Sequence, residues 1–453
     1  MSNPGEGDLT PIDSTAQLAG YFAAGCKDPS QFRIGTEHEK FGFRRSDLSP
    51  PPYEPDGIRA MLEGMAHADW APILDGGKPI GLKGAGGSIS LEPAGQFELS
   101  GGLAETVHET AAELATHFAE LRPVAERLGL GFAPLGFHPL ARFEEMPWMP
   151  KGRYGIMRRY MPKVGTRGLD MMTRTCTVQV NLDFASEADM VRKLRVGLAL
   201  QPFATALFAN SPFYEGRPNG LLSNRAQVWT DTDNARAGVP AAVFEEGFGF
   251  ERFANFALDV PMYFVYRDGG YIDVAGCSFR DFMAGRLPGL EGERPNMGDF
   301  ADHLTTIFTD VRLKRFLEMR GADAGRPDMM VAFSAFWTGL LYDDAALAAA
   351  ESLITGVTAA ELMALRSAVP AQGLDAPWRT GRLRDLLKPL LAIASDGLAA
   401  RARLNAAGED ERIYLAPLHA IAEGAPTQAE HWLDRYENAW GRDVRPILTE
   451  AAI

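Results

Sequence analysis

Side chains on a β-strand alternate between its two faces, so a strand with acids at every second position commits one face of its sheet to charge. IGTEHEKFGF (34–43) is such a run: Glu37, Glu39, Phe41 and Phe43 share one parity and His38 takes the other. TCTVQVNLDF (175–184) alternates without error, with Thr175, Thr177, Gln179, Asn181 and Asp183 opposite Cys176, Val178, Val180, Leu182 and Phe184. Its apolar side enters a core, and its polar side either lines a cavity or meets water. SISLEPAGQFELSG (88–101) reads as a hairpin around Pro93, Ala94 and Gly95, which sets Glu92 opposite Glu98 with Leu91, Phe97 and Leu99 behind them. VRLKRFLEMRGAD (311–323) repeats the alternation with Arg312, Lys314, Phe316, Glu318 and Arg320 in register.

Each pattern alone also fits a solvated sheet face. Together they say more: if these strands join, Glu37, Glu39, Glu92, Glu98 and Glu318 share one concave side. Five carboxylates crowd together only if their pKa values rise or cations bind. Oxygen ligands without a histidine or cysteine cluster suit Mg²⁺ or Mn²⁺ rather than zinc. Mg²⁺ keeps waters and shares its ligands with phosphates, so acids beside Arg and Lys point to metals bridging protein and ATP.

Around these strands lie helical stretches: LAETVHETAAELATHFAELRPVAERL (103–128), and SEADMVRKLRVGLALQPFATALFA, capped by Ser186 and Asp189 and bent or broken near Pro202. The expected class is α+β, a mainly antiparallel sheet surrounded by helices, in one catalytic domain over 1–453. Residues 1–30 read as a loose lead-in with one short helix, and about 345–453 as a helical part packed on the core. Lys and Arg number 45 against 59 Asp and Glu, a net charge of −14 spread along the chain. That balance argues against nucleic acid or an anionic membrane as partner. Cys26, Cys176 and Cys277 form no CxxC pair, and the polar start lacks the pattern of a signal peptide. VGLALQPFATALFANSPF is too interrupted to span a membrane. These features give a cytoplasmic expectation.

GTEHEKFGF, EPAGQFELSGG, MRRYMPKVGTRGLDMMTRTCTVQVNLDF, GRPNGLLSNRAQVWTDTD, LDVPMYFVYRDGGYIDVAG and HLTTIFTDVRLKRFLEMRGAD occur in this order. Together they resemble the plant and proteobacterial type of glutamate-cysteine ligase over about residues 33–345. The resemblance implies the curved sheet funnel of the glutamine synthetase-related carboxylate-amine ligases. It also implies an ATP-dependent reaction: phosphorylation of the γ-carboxylate of L-glutamate, then attack by the amine of L-cysteine, the first step of glutathione synthesis. In that pattern Glu37, Glu39, Glu92, Glu98 and Glu318 hold metal, and Gln179 stands where distant relatives carry a metal-binding histidine. Arg225 and Tyr263 match substrate-holding positions, with Trp229, Gln179 and Asn181 beside them, and Arg320 faces the transferring phosphate with help from Lys314. Tyr263 fits a half-buried sheet aromatic equally well. Arg158 and Lys163 of MRRYMPKVG suit polyphosphate or a solvated basic loop. The regulatory cysteine pair of plant members has no counterpart in YIDVAG or GRLPGLEG, and the active unit is expected as a monomer or homodimer. A γ-glutamyl ligase for another amine, or a non-catalytic nucleotide- or metal-binding relative, are the other readings, the second disfavoured by the complete acid and arginine set.

Overall fold

The strict alternation of residues 177–182 becomes burial on one side of a sheet. In the computed structural model, which describes residues 7–67 and 69–453, Val178, Val180 and Leu182 enter the largest apolar cluster. That cluster is shared with the helices Glu187–Leu207 and Pro327–Leu341. Their strand belongs to a sheet of nine: β1 Ile34–Arg44, β2 Trp70–Asp75, β3 Lys78–Gly84, β4 Ser88–Leu91, β5 Phe97–Ala104, β6 Leu130–Ala133, β7 Thr177–Leu182, β8 Val311–Leu313 and β9 Leu317–Asp323. The order is β8-β9-β7-β1-β5-β4-β3-β2, and every neighbouring pair is antiparallel. β1 is central. Its first half pairs with β5 and β7, and from Phe41 onward it pairs with β6. Register shifts occur in β1–β5, β7–β9 and β2–β3, and such bulges bend a sheet.

The α+β expectation holds, with four local corrections. The acidic hairpin pairs Leu91 with Phe97, so Ser90, not Glu92, faces Glu98, and Glu92 lies across from Gln96, to whose carbonyl its amide donates at 3.0 Å. Gln96 anchors the turn: its Oε1 accepts from the Ala94 amide at 2.8 Å, and its Nε2 donates to the carbonyls of Met172 and Thr175. Residues 311–323 are two strands rather than one, turned at Lys314, whose amide donates to the Phe316 carbonyl. The helix expected from 103 starts at Val107, because Leu103 and Ala104 close β5 and Thr106 with Glu109 forms a capping box. The Glu187–Leu207 helix runs unbroken through Pro202. It is buried nearly all round, and that packing outweighs one missing hydrogen bond. Ser186 caps it as expected, while Asp189 reaches back to the Ala185 amide, one residue before the cap.

The C-terminal part carries the helices Asp344–Ile354, Ala359–Gln372, Leu387–Arg401 and Gln428–Asn438, as the sequence suggests. Among the described residues, no single helix is long and apolar enough to cross a membrane. Helix Leu387–Arg401 lies directly on Pro327–Leu341. A Cβ on Gly397 would meet the Gly339 carbonyl oxygen at 1.9 Å, and one on Gly339 would meet the Ala394 oxygen at 2.3 Å. Ser334 of the inner helix in turn bonds Thr36 of β1 at 2.8 Å. Overpacking such a backbone contact costs about 1–3 kcal/mol. Gly397→Ala is therefore expected to lower the urea midpoint by that equivalent, with the slope unchanged.

Candidate active site

The sheet face opposite the apolar cluster is where the acids gather. β9, β7, β1 and β5 are consecutive neighbours, and they bring Glu318, Gln179, Glu37 with Glu39, and Glu98 to one cavity of about 140 Å³. Register fixes the neighbours: Glu37 pairs with Gln179, Glu39 with Glu98, and Glu318 with both Asn181 and Arg312. Glu92 joins from the β4–β5 loop. Asn181 holds Glu37 from the side, its Nδ2 donating to Oε1 at 3.0 Å. Phe41 and Phe43 share the parity of Glu37 and Glu39 but lie beyond the switch in pairing, in a separate apolar cluster with Cys176 and Trp432. His38 takes the reverse face, as its parity requires, and is buried.

The five acids split into two electrostatic groups. Glu318 is fully buried among cations: Arg312 Nε at 2.6 Å, Arg320 Nη1 at 2.7 Å and Lys314 Nζ at 3.5 Å. Burial alone would raise its pKa, yet Arg312, Lys314 and Arg320 together hold the carboxyl well below the usual range. Glu37, Glu39, Glu92 and Glu98 have no ion pair with a described residue. Burial, then Glu92 and Glu98, pushes Glu39 well above the ordinary carboxylate value. Burial, then Glu37 and Glu92, pushes Glu98 up to about 7. Ser90 Oγ at 2.6 Å and the Thr177 amide at 3.0 Å soften this only in part.

A divalent cation fits the donor chemistry of these four acids, which are hard oxygens without a close ion pair among the described residues. The compact five-ligand cluster expected from the sequence is not formed. Among the described residues, no three acid, histidine or cysteine side chains converge closely enough to hold a metal as they stand. Glu318 is committed to its arginines instead, because the β8–β9 turn folds Arg312 and Lys314 back over it.

Of the other expected residues, Arg225, Trp229, Lys314 and Arg320 line the cavity. Arg320 is fixed by Gln179 Oε1 at 2.6 Å as well as by Glu318. Arg225 is buried and donates through Nη2 to the Arg320 carbonyl at 2.8 Å. Four residues do not line the cavity: Asn181, which reaches it only through Glu37, and Tyr263, Arg158 and Lys163. Tyr263 is wholly buried, its hydroxyl 3.3 Å from Asp233 and its ring under the Arg236 guanidinium at 3.8 Å. It lies just before the hairpin Phe264–Arg267/Gly270–Asp273 and is a core aromatic. Arg158 and Lys163 are exposed, Arg158 stacked over Trp148 at 4.4 Å. Their segment is the helix Gly152–Val164, and its inner face carries Tyr154, Met157 and Met161. Arg153 and Tyr154, one turn earlier, line the cavity instead. The spacing of 154, 157 and 161 was the signal that could have found them.

Two larger hollows lie elsewhere. A groove of about 970 Å³ meets the cavity at Glu37, Thr305 and Lys314, walled further by Tyr21, Arg315 and Phe316. An apolar groove of about 870 Å³ runs between the Val107–Arg127 helix and residues 413–431, with none of the cavity acids in it.

The model of glutamate-cysteine ligase family 2 matches residues 33–450. The chain is 53% identical over 434 residues to the chloroplastic glutamate-cysteine ligase of Arabidopsis thaliana, covering 96% of this chain and 82% of that one. The chain belongs to glutamate-cysteine ligase family 2. Within the family, the chloroplastic ligase B of Oryza sativa is 52% identical over 96% of this chain and 86% of its own. A glutamate-cysteine ligase from Francisella tularensis, solved in complex with AMP, shares the fold at a TM-score of 0.55 and 12% identity, over 93% of this chain and 87% of that one. The chain is accordingly a ligase enzyme of this family. The cytoplasmic expectation is corrected: these plant relatives are named chloroplastic. Acidic charge and unpaired cysteines suit either compartment and could not separate them.

The raised carboxyls make a stability prediction for the metal-free protein. A group whose folded pKa is raised contributes stability at low pH and loses it as pH climbs through the folded value. Glu39→Gln is expected to melt about 2 °C above the parent at pH 8 in EDTA, with the gap closing by pH 5, followed by calorimetry. Turnover of the same variant should collapse.

Proposed function

We propose that the carboxylate cavity phosphorylates the γ-carboxylate of L-glutamate with ATP and hands the acyl phosphate to the amine of L-cysteine. Oxygen of the γ-carboxylate attacks the γ-phosphorus of ATP and ADP leaves. The amine then attacks the acyl carbon, loses a proton and expels phosphate, giving γ-glutamylcysteine. The observation that carries this reading is the side-by-side placement of a cationic group, Arg312, Lys314 and Arg320, and four acids without an ion pair among the described residues. Phosphoryl transfer asks for charge neutralisation and alignment rather than covalent help, and those two groups supply it.

Glu37, Glu39, Glu92 and Glu98 would hold Mg²⁺, or Mn²⁺, which neutralises and orients the ATP phosphates when bound. Glu318 and Gln179 hold Arg320 in a fixed rotamer, aimed at the transferring phosphoryl group. Arg225 keeps donors beyond the one given to the Arg320 carbonyl, and its planar fork suits the α-carboxylate of glutamate. That grip leaves the γ-carboxylate to reach ATP. The nucleotide enters by the wide groove that meets the cavity at Glu37 and Lys314, where Tyr21 and Phe316 offer aromatic faces. AMP in the Francisella ligase agrees with an adenine nucleotide.

Purified protein with Mg²⁺ and ATP should release ADP and phosphate only when both L-glutamate and L-cysteine are present. L-2-aminobutyrate should replace cysteine with much of the turnover kept, because the amine is the nucleophile. Release of AMP and pyrophosphate would overturn the acyl-phosphate route. Arg320→Ala should lower kcat by about 10²–10³-fold, the usual loss of one charge-stabilising donor, with a small change in KM for glutamate.

A further inference from the structure

β9 carries a third charged residue beyond Glu318 and Arg320. Its register shift lies between Met319 and Ala322 and sends both into the apolar cluster, so Asp323 turns to the side of Glu318. Asp323 is 1% exposed and does not line the cavity. Its carboxylate takes three hydrogen bonds: Oδ2 accepts from the Asn210 amide at 2.8 Å and from Ser211 Oγ at 2.6 Å, and Oδ1 accepts from Ser223 Oγ at 2.8 Å. Both hydroxyls pass the connection on. Ser211 Oγ accepts from the Arg225 amide at 3.3 Å, and Ser223, the N-cap of the helix Asn224–Val228, accepts from the Ala226 amide at 3.0 Å. The far end of Arg225 is tied to the same strand, through Nη2 to the Arg320 carbonyl.

A hydroxyl has one proton, and giving it to Asp323 leaves each serine oxygen free to accept from the first turn of the helix. One strand therefore holds Arg225 at its backbone and at its guanidinium while also carrying Arg320. The ligation reading needs a set span between those two groups. Arg225 takes the α-carboxylate and Arg320 meets the phosphoryl group on the γ-carboxylate, so their separation must match the length of glutamate. A misplacement of about 1 Å can cost about 10²-fold. We propose, on that ligation reading, that Asp323 is the positioning residue for Arg225. Through Ser211 and Ser223 it holds the helix that presents the guanidinium to the α-carboxylate of the donor amino acid. A role in packing alone would lower stability without singling out one substrate, whereas this role confines the damage to glutamate.

The test is steady-state kinetics of the full chain, with KM for L-glutamate and KM for ATP measured separately in the parent, Ser223→Ala, Asp323→Ala and Asp323→Asn. Ser223→Ala and Asp323→Ala should raise KM for glutamate by about 10–100-fold. KM for ATP should stay within about twofold of the parent, because the cations on β8 and β9 keep their places. Asp323→Asn removes the charge but keeps the connections, since its amide oxygen accepts from Asn210 and Ser211 and its amide nitrogen donates to Ser223. It should hold KM for glutamate within about threefold of the parent. Equal rises in the two KM values, an unmoved glutamate KM in Ser223→Ala, or an asparagine variant as impaired as the alanine variants would overturn the proposal. Should Asp323→Ala not fold, Ser223→Ala and Asp323→Asn decide between them. A parent with no glutamate-dependent turnover of ATP would instead remove the ligation reading itself, and this role with it.

Discussion

Glu39 and Glu98 face each other across β1 and β5, and much of the surrounding structure answers that opposition. Like charges directly opposite destabilise a strand pair. Ser90 and the Thr177 amide each give one hydrogen bond, which leaves both acids poorly compensated. Behind the sheet, Lys40 points away from the cavity and is wholly buried, bonded to His38 Nδ1 at 3.1 Å and His117 Nε2 at 2.9 Å. Burial pulls its pKa down to about 7, while Cys176, Glu98 and Glu39 pull it up. Burial and the lysine keep both imidazoles well below their ordinary value, so they serve as neutral acceptors. A buried lysine thus sits behind the acids while their carboxylates open onto the cavity in front.

The sheet divides its labour along its width. The β1–β5 side carries acids that want an external cation, and the β8–β9 side carries its own cations, centred on Glu318. On the proposed reading, a phosphate chain laid across that boundary would meet carboxylates on one side and guanidinium groups on the other. The helices keep the boundary in place. Pro327–Leu341 holds β1 through Ser334 and Thr36, and Ala359–Gln372 holds the Trp229 loop through Arg366.

Parity was a reliable guide wherever a residue lay inside a continuous strand. Glu37, Glu39, Gln179 and Glu318 reached the cavity, and His38, Val178 and Val180 turned away, because a pleated strand leaves no other choice. Parity failed where the chain turned. Glu92 lost its place opposite Glu98 to Ser90 because a turn at 93–95 sets residue 92 across from Gln96. Arg158 and Lys163 fell outside because their basic segment is a helix with its inward face on other residues. Tyr263 was drawn into the core by Arg236 and Asp233, partners close in sequence whose geometry only the folded chain defines.

The sequence by itself determined which strands have a charged face, that those charges demand cations, and which family the ordered motifs resemble. Strand alternation and charge repulsion are local consequences of residue order. Only the tertiary structure decided that Glu318 serves arginines while four other acids have no ion pair among the described residues. It also decided that the Ala359–Gln372 helix packs beside Arg320. These outcomes depend on turn geometry, register and helix rotation: the turn after Lys314 sets the first, and packing between segments far apart in the chain sets the second.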